Sequence, residues 1–393
     1  MSRRAFFRAS AMESSANKGI SLYIHVPFCR SKCAYCSFYS FVPKAGQIER
    51  WLSCVGKELL YVKEKLARGC PFTTIYVGGG TPSIMDIGQW KTFFAALGAL
   101  PKTADCEFTI EANPESIDAE KLSLWKDNGV NRVSIGVQSL DDAELRLCGR
   151  RHSAEQALRA LETAQDFGFR VSADLIFGLP YQTLRGWHGN MSRLVRLGIE
   201  HISLYQLMIE PDSFWGRHTP ADLPDGYPMY RWAQYYLPKK GLAQYEIASF
   251  AVKGEESRHN MAYWRRSDVC AAGPAAWGFV GGKRFANAKN FDAWAQRVER
   301  GESAVDYEEE LTGAARASEA AVLALRTSEG IDFEDFARNY GAIWLEKILE
   351  RIDAMPQRYF LRKSGRIALS PSGMRVGNAI WSELIGLEKE AGS

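Results

Sequence analysis

Three cysteines, Cys29, Cys33 and Cys36, fall within one short stretch, separated by three and then two residues. They follow a strand-like run, Leu22-Tyr23-Ile24-His25-Val26, that gives way to Pro27-Phe28. A loop so tight can wrap its sulfurs around one small inorganic centre. Structural zinc usually takes four protein ligands, so three thiolates leave its tetrahedron incomplete. They suit a cubane iron–sulfur cluster, whose usual protein ligand is thiolate, with the fourth iron left to an outside ligand. The alternative is a trio of buried thiols acting as small apolar residues. Arg30, Ser31 and Lys32 interrupt the run and would make poor core neighbours for it.

The elements needed to hold such a loop are legible downstream. Strand-like runs lie at residues 22–26, 74–77, 107–111, 132–137, 171–177 and 201–207, with helical periodicity between them, longest at 48–66 and again at 153–167 and 184–197. Strands alternating with helices imply parallel βα units. A closed eight-strand barrel would need two more strands, so an open six-strand partial barrel fits the count. In such barrels chemistry sits on loops at the carboxyl ends of the strands. The second strand ends in Gly78-Gly79-Gly80-Thr81-Pro82-Ser83, where backbone can approach a ligand closely. Glu111 ends the third strand, Gln138 the fourth, and Asp174 lies in the fifth, with Arg150 following in Cys148-Gly149-Arg150. Taken singly, each is more simply a cap, a turn or a solvated charge. Together they form a ring of polar groups suited to a zwitterionic, ribose-bearing ligand.

The three-cysteine spacing resembles the signature of the radical S-adenosylmethionine (radical SAM) superfamily. The lead-in Tyr23-Ile24-His25-Val26-Pro27-Phe28-Cys29 is similar to one branch of it, the oxygen-independent coproporphyrinogen III oxidases and the HemW-type haem chaperones. That resemblance implies a radical SAM partial (β/α)6 barrel with a smaller, mostly helical C-terminal domain. It implies a [4Fe-4S] cluster on Cys29, Cys33 and Cys36, with S-adenosylmethionine (SAM) on the open iron, cleaved by one electron to methionine and a 5′-deoxyadenosyl radical. Tyr23, Tyr35, Gly79, Gly80, Thr81, Glu111, Gln138, Arg150 and Asp174 match positions that contact SAM in the oxidases. The oxidases carry a fourth cysteine two residues after the third. Here that position is Phe38, as in the chaperones.

Past the sixth strand, a loop rich in Pro, Gly and aromatics at residues 214–227 reads as a lid near the mouth. His259-Asn260-Met261-Ala262-Tyr263-Trp264 resembles a chaperone-branch signature, and an imidazole beside large aromatics could ligate and sandwich a porphyrin iron at His259. An ordinary core edge with a satisfied histidine is the equal alternative. Relatives usually read Gly-x-Gly-Ala-His-Ser shortly afterwards. This chain has Gly273-Pro274-Ala275-Ala276-Trp277-Gly278, so no second haem histidine carries over.

These features divide the chain into a disordered tail at 1–18, a radical SAM core at 19–265, a connecting segment at 266–310 and a C-terminal helical cap at 311–393. The cap's helices followed by a hairpin look winged-helix-like. Glu346, Lys347, Glu350 and Arg351 mix signs along the would-be reading helix, so a nucleic-acid role is not expected. A formal charge of +3 agrees. The five cysteines beyond the cluster stand singly, as in a reducing cytoplasm. Ser2-Arg3-Arg4 imitates an export motif without the apolar core a signal needs. No run approaches the roughly 18 apolar residues of a membrane span, and peripheral membrane contact is compatible with the composition. The expected function is a haem chaperone with haem as cargo, a haem-accepting protein as partner and a flavodoxin or ferredoxin as electron donor. The alternative is radical decarboxylation of coproporphyrinogen III to protoporphyrinogen IX.

Overall fold

The computed structural model describes residues 19–385; the tail expected at 1–18 lies outside them. Strands β1 (Ile20–Val26), β2 (Phe72–Gly79), β3 (Lys102–Ala112), β4 (Arg132–Gln138), β5 (Arg170–Phe177) and β6 (His201–Gln206) are parallel and paired in sequence order. Their aliphatic runs are buried on both faces because crossover helices cover the outer one. Those helices start where the sequence supplies an oxygen for the free amides of the first turn. Asp86, Asp118, Ser153 and Thr183 each accept an N–H from three residues on, and Gln89 and Gln156 complete capping boxes. The helix expected at 48–66 runs Gln47–Tyr61 and closes in a π-helical turn, Val62–Leu66. Its Trp51 stacks on Phe93 with ring centres 5.7 Å apart, in the main core.

At the amino ends of the strands, Arg132 and Glu107 form a fully buried ion pair at 3.3 Å. Glu107 also accepts the backbone N–H of His259 at 3.0 Å, which anchors the helix Arg258–Trp264 to the barrel wall.

The sheet does not stop at six strands. Beyond β6 come β8 (Ser249–Ala251) and β7 (Ala243–Gln244), both antiparallel to their neighbours. On the other side β9 (Val269–Ala272) runs parallel to β1, followed by β10 (Trp277–Val280), β11 (Lys283–Asn287) and β12 (Val305–Glu310). Gly281 and Gly282, at φ 61° and 88°, make the two-residue turn between β10 and β11. The result is one 12-stranded sheet in the order β12-β11-β10-β9-β1-β2-β3-β4-β5-β6-β8-β7. Residues 266–310, expected from sequence to be a connecting segment, therefore carry four of its strands and the helix Phe291–Glu299.

The C-terminal residues build a separate core from Leu325, Ile348, Ile352, Ile367 and Trp381. Helices Gly313–Ala324, Phe333–Tyr340 and Ala342–Ala354 precede a hairpin of β14 (Phe360–Lys363) and β15 (Arg366–Leu369), with β13 (Ile331–Asp332) on β15. Arg266–Glu319 at 3.0 Å, Arg375 to Gln234 at 2.6 Å and the Ser328 amide to the Tyr245 carbonyl at 2.9 Å hold this unit against the sheet.

Candidate cofactor site

The three cysteines lie on the loop leaving β1, all half-buried. The loop is tied at several points. The Cys29 amide donates to the Phe41 carbonyl at 3.0 Å, the Ala34 amide to Cys148 at 3.0 Å, and the Trp215 amide to Ala34 at 2.9 Å. Trp215 belongs to a short helix, Phe214–Arg217, so the start of the segment expected to act as a lid is fastened to the cysteine loop. Lys32 donates to the carbonyls of Phe38 and Ser40, which draws the far side of the loop together.

All three thiols face one cavity of about 430 Å³ at the carboxyl ends of the strands. Tyr35, Gly79, Gly80, Thr81, Glu111, Gln138, Arg150 and Asp174 line it too, so eight of the nine SAM positions named from sequence are brought together. Tyr23 is not in this wall. It borders a neighbouring cavity and donates its hydroxyl to His25 Nδ1 at 2.9 Å. The other ring nitrogen, Nε2, faces the Tyr39 carbonyl at 2.9 Å, so His25 carries its proton on Nε2. Burial pushes His25 down to about 4, and the ring stays neutral.

Each glycine at the end of β2 has a steric reason. A Cβ on Gly78 would lie 2.7 Å from the Glu111 carboxyl carbon, and one on Gly80 would lie 2.6 Å from the Phe28 carbonyl oxygen. Gly79 combines φ +109° with a clash against the His25 ring at 2.4 Å. Its amide donates to Glu111 Oε2 at 2.9 Å while the Tyr76 hydroxyl donates to Oε1 at 2.7 Å, so Glu111 is a strut for the glycine turn.

Two thiols are joined by a chain of side chains. Thr81 Oγ1 lies 3.5 Å from Cys29 Sγ and accepts from Asn113 Nδ2 at 3.2 Å. Arg150 donates to Asn113 Oδ1 at 2.7 Å, to the Gly136 carbonyl at 2.7 Å and to Cys33 Sγ at 3.6 Å. Asn113 and Tyr76 were not singled out from sequence. Tyr76 is revealed only by the inward register of β2, and Asn113 only by the turn that follows β3 before Pro114.

The fifth strand supplies a strongly perturbed carboxyl. Asp174 is buried, accepts from Ser134 Oγ at 3.0 Å through Oδ2, and leaves Oδ1 without a partner. Burial, with Glu111 second, pushes it up to about 7. Burial raises Glu111 as well. An unsatisfied carboxylate oxygen and the unpartnered Arg150 Nε suit a ligand with hydroxyl donors and a carboxylate.

The residues fit a cluster and SAM. Three thiols share one cavity, and two of them already receive hydrogen bonds of the kind that tune cluster ligands. Among the described residues no three Cys, His, Asp or Glu side chains converge on a single ion position. A cubane does not need that convergence, because each thiolate takes its own iron.

His259 lies elsewhere. It is 1% exposed, stacked on Tyr76 with centres 5.0 Å apart and edge-on to Tyr263 at 5.3 Å. Its Nδ1 meets Thr74 Oγ1 at 2.8 Å, and its buried Nε2 has no partner. A porphyrin iron could reach that nitrogen only after the packed rings moved.

The radical SAM superfamily profile matches residues 23–192. A "Heme chaperone HemW" of Bacillus subtilis (strain 168) is 31% identical over 380 residues, covering 93% of this chain and 99% of the relative. The Escherichia coli (strain K12) "Heme chaperone HemW" is 36% identical, over 66% of this chain and 70% of its own length. Among solved structures, the coproporphyrinogen III oxidase HemN of Escherichia coli superposes with a TM-score of 0.82 over 96% of this chain and 93% of its own, at 20% identity. That likeness fixes the fold: α/β, with a radical SAM barrel and a C-terminal helical domain. With the cysteine loop and the cavity it serves in place, the chain belongs to the radical SAM superfamily, in the HemN-like branch that contains the HemW proteins.

Proposed function

We propose that this protein is a haem chaperone that carries a [4Fe-4S] cluster and SAM and passes haem to an acceptor protein. The observation that carries the reading is the match over nearly the whole length of a HemW haem chaperone. Phe38, which stands where the oxidases have a further cysteine, is 69% exposed on the cavity wall and agrees with it.

In this reading Cys29, Cys33 and Cys36 hold three irons. The bound cluster and SAM supply one-electron chemistry at the cavity. The glycine turn presents backbone to the amino acid end of SAM, Arg150 faces its carboxylate, and Asp174 accepts from ribose hydroxyls. Gln138, at φ 64° on the end of β4, turns its amide toward the same space. A haem-accepting protein and a small electron donor of the flavodoxin or ferredoxin class complete the system in the cytoplasm. No helix among the described residues is long and apolar enough to cross a membrane.

The retained ring of SAM-facing groups favours one second reading, oxidative decarboxylation of coproporphyrinogen III. An anaerobic experiment separates the two. The reconstituted protein is titrated with haem, challenged with a haem-free acceptor, and separately given coproporphyrinogen III with SAM and a reductant. Haem uptake and transfer without vinyl product is expected. Vinyl product would favour the oxidase, and absence of haem uptake would defeat the chaperone reading.

A further inference from the structure

A second cavity of about 710 Å³ opens beside the cofactor cavity, and Ser37, Phe38, Gly79 and Glu111 belong to both walls. Its outer wall comes from β10, β11 and β12, the strands that extend the sheet past β1. Ala286 of β11 sits between Trp277 of β10 and Tyr307 of β12 in register. With only a methyl between them, the two rings lean together over Ala286, centres 5.5 Å apart. Both stay open to solvent, Trp277 at 51% and Tyr307 at 43%. Their planes are 56° apart, so one ring offers a face to a flat apolar molecule while the other closes its edge.

The charges of this wall are unbalanced. Asp306 is taken by Arg297 at 2.7 Å. Lys289 is exposed and has no hydrogen bond or ion pair among the described residues. A free ammonium beside an aromatic platform selects a planar ligand with carboxylate arms. The volume lies within the range of small-ligand sites. Of the cavity's own groups, His25 cannot serve an iron, because both its nitrogens are engaged by Tyr23 and Tyr39.

We propose that this cavity is the cargo site: a tetrapyrrole lies flat against Trp277, meets Tyr307, tilted 56° to Trp277, at its edge, and sets a propionate on Lys289, held by its face and its carboxylate rather than by His259. The proposal rests on the haem-chaperone reading and places its cargo one wall away from the cofactors.

The test is a set of fluorescence and absorbance titrations of the full chain with haem and with metal-free protoporphyrin IX. Because iron ligation is not the grip, the two should bind within about threefold of one another. Trp277→Ala should weaken both by about tenfold, the scale of one lost aromatic contact. Lys289→Glu should weaken both by about fivefold and reduce the salt dependence of binding. Both side chains are exposed, so neither change should disturb folding. His259→Ala should leave protoporphyrin IX affinity unchanged. Haem binding by the parent protein that is indifferent to Trp277→Ala and Lys289→Glu would overturn the cargo site while leaving the chaperone reading intact. So would binding that is lost in His259→Ala or absent for the metal-free ring. No haem binding by the parent protein would overturn both.

Discussion

Replacing Asp174 with Asn should make the ligand-free protein more stable at alkaline pH. The carboxyl is buried, one of its oxygens has no partner, and Glu111 adds like charge nearby, so burial and then Glu111 raise it from 3.8 to about 7. The native state therefore holds a proton across a window in which the unfolded chain has released it. Stability tied to this group is fully present below about 3.8, falls as pH rises, and is lost by about 7. At about 1.4 kcal/mol per pH unit, that lift corresponds to about 4 kcal/mol. Asn keeps the shape and the bond from Ser134 without the charge, so the variant should exceed the parent by about 2–4 kcal/mol at pH 8. Urea unfolding of the cluster-free protein at several pH values reads this directly. The gap should close as the pH approaches 4, and Glu58, another raised carboxyl, contributes equally to both proteins and cancels. A gap that does not change with pH, or a variant less stable at pH 8, would refute the reasoning. SAM binding should weaken in the same variant, because the charge that burdens the empty protein is the one a ribose hydroxyl would satisfy.

Cys33→Ala should abolish the iron and sulfide content of anaerobically reconstituted protein, measured by chemical analysis; unchanged content would remove that thiol from the cluster. Asn113→Ala frees both Thr81 and Arg150 from their link and should shift the cluster midpoint to more negative potential in a redox titration, since donors to sulfur stabilise the reduced, more anionic form. A midpoint identical to the parent's would show that the chain does not act on the sulfurs. Glu107→Ala strands the buried Arg132 and should cost about 3–5 kcal/mol in chemical denaturation; a loss below about 1 kcal/mol would mean that the Glu255 carbonyl, 2.8 Å from Arg132, compensates.

The six parallel strands were legible because each is a compact aliphatic run followed by a helix with a readable cap, as at Asp86 and Ser153. The residues at their carboxyl ends were legible for the same reason: once a strand ends at Glu111 or Gln138, its last side chains must face the mouth. The outer strands were not. Val269–Ala272 is too short to show periodicity and is flanked by glycine, and its partner β1 lies far away in sequence. Val305–Glu310 reads as a solvated acidic run, yet its carboxylates pair across the ladder with Lys283 and Arg284. His259 shows a different limit. Its motif falls on the short helix Arg258–Trp264, but which face turns inward depends on Glu107 and Thr74, more than 150 positions earlier.

A sheet that never closes into a ring keeps two free margins, and each could recruit a strand from another molecule. At one end β7 is only two residues long and offers little to copy. At the other, β12 bonds only to β11, and it ends in Glu308, Glu309 and Glu310. Glu309 and Glu310 are matched by their neighbours, but Glu308 has no ion pair among the described residues. Two molecules approaching margin to margin would bring their Glu308 carboxylates together, and that like charge works against pairing along the edge that gives this protein its extra wall.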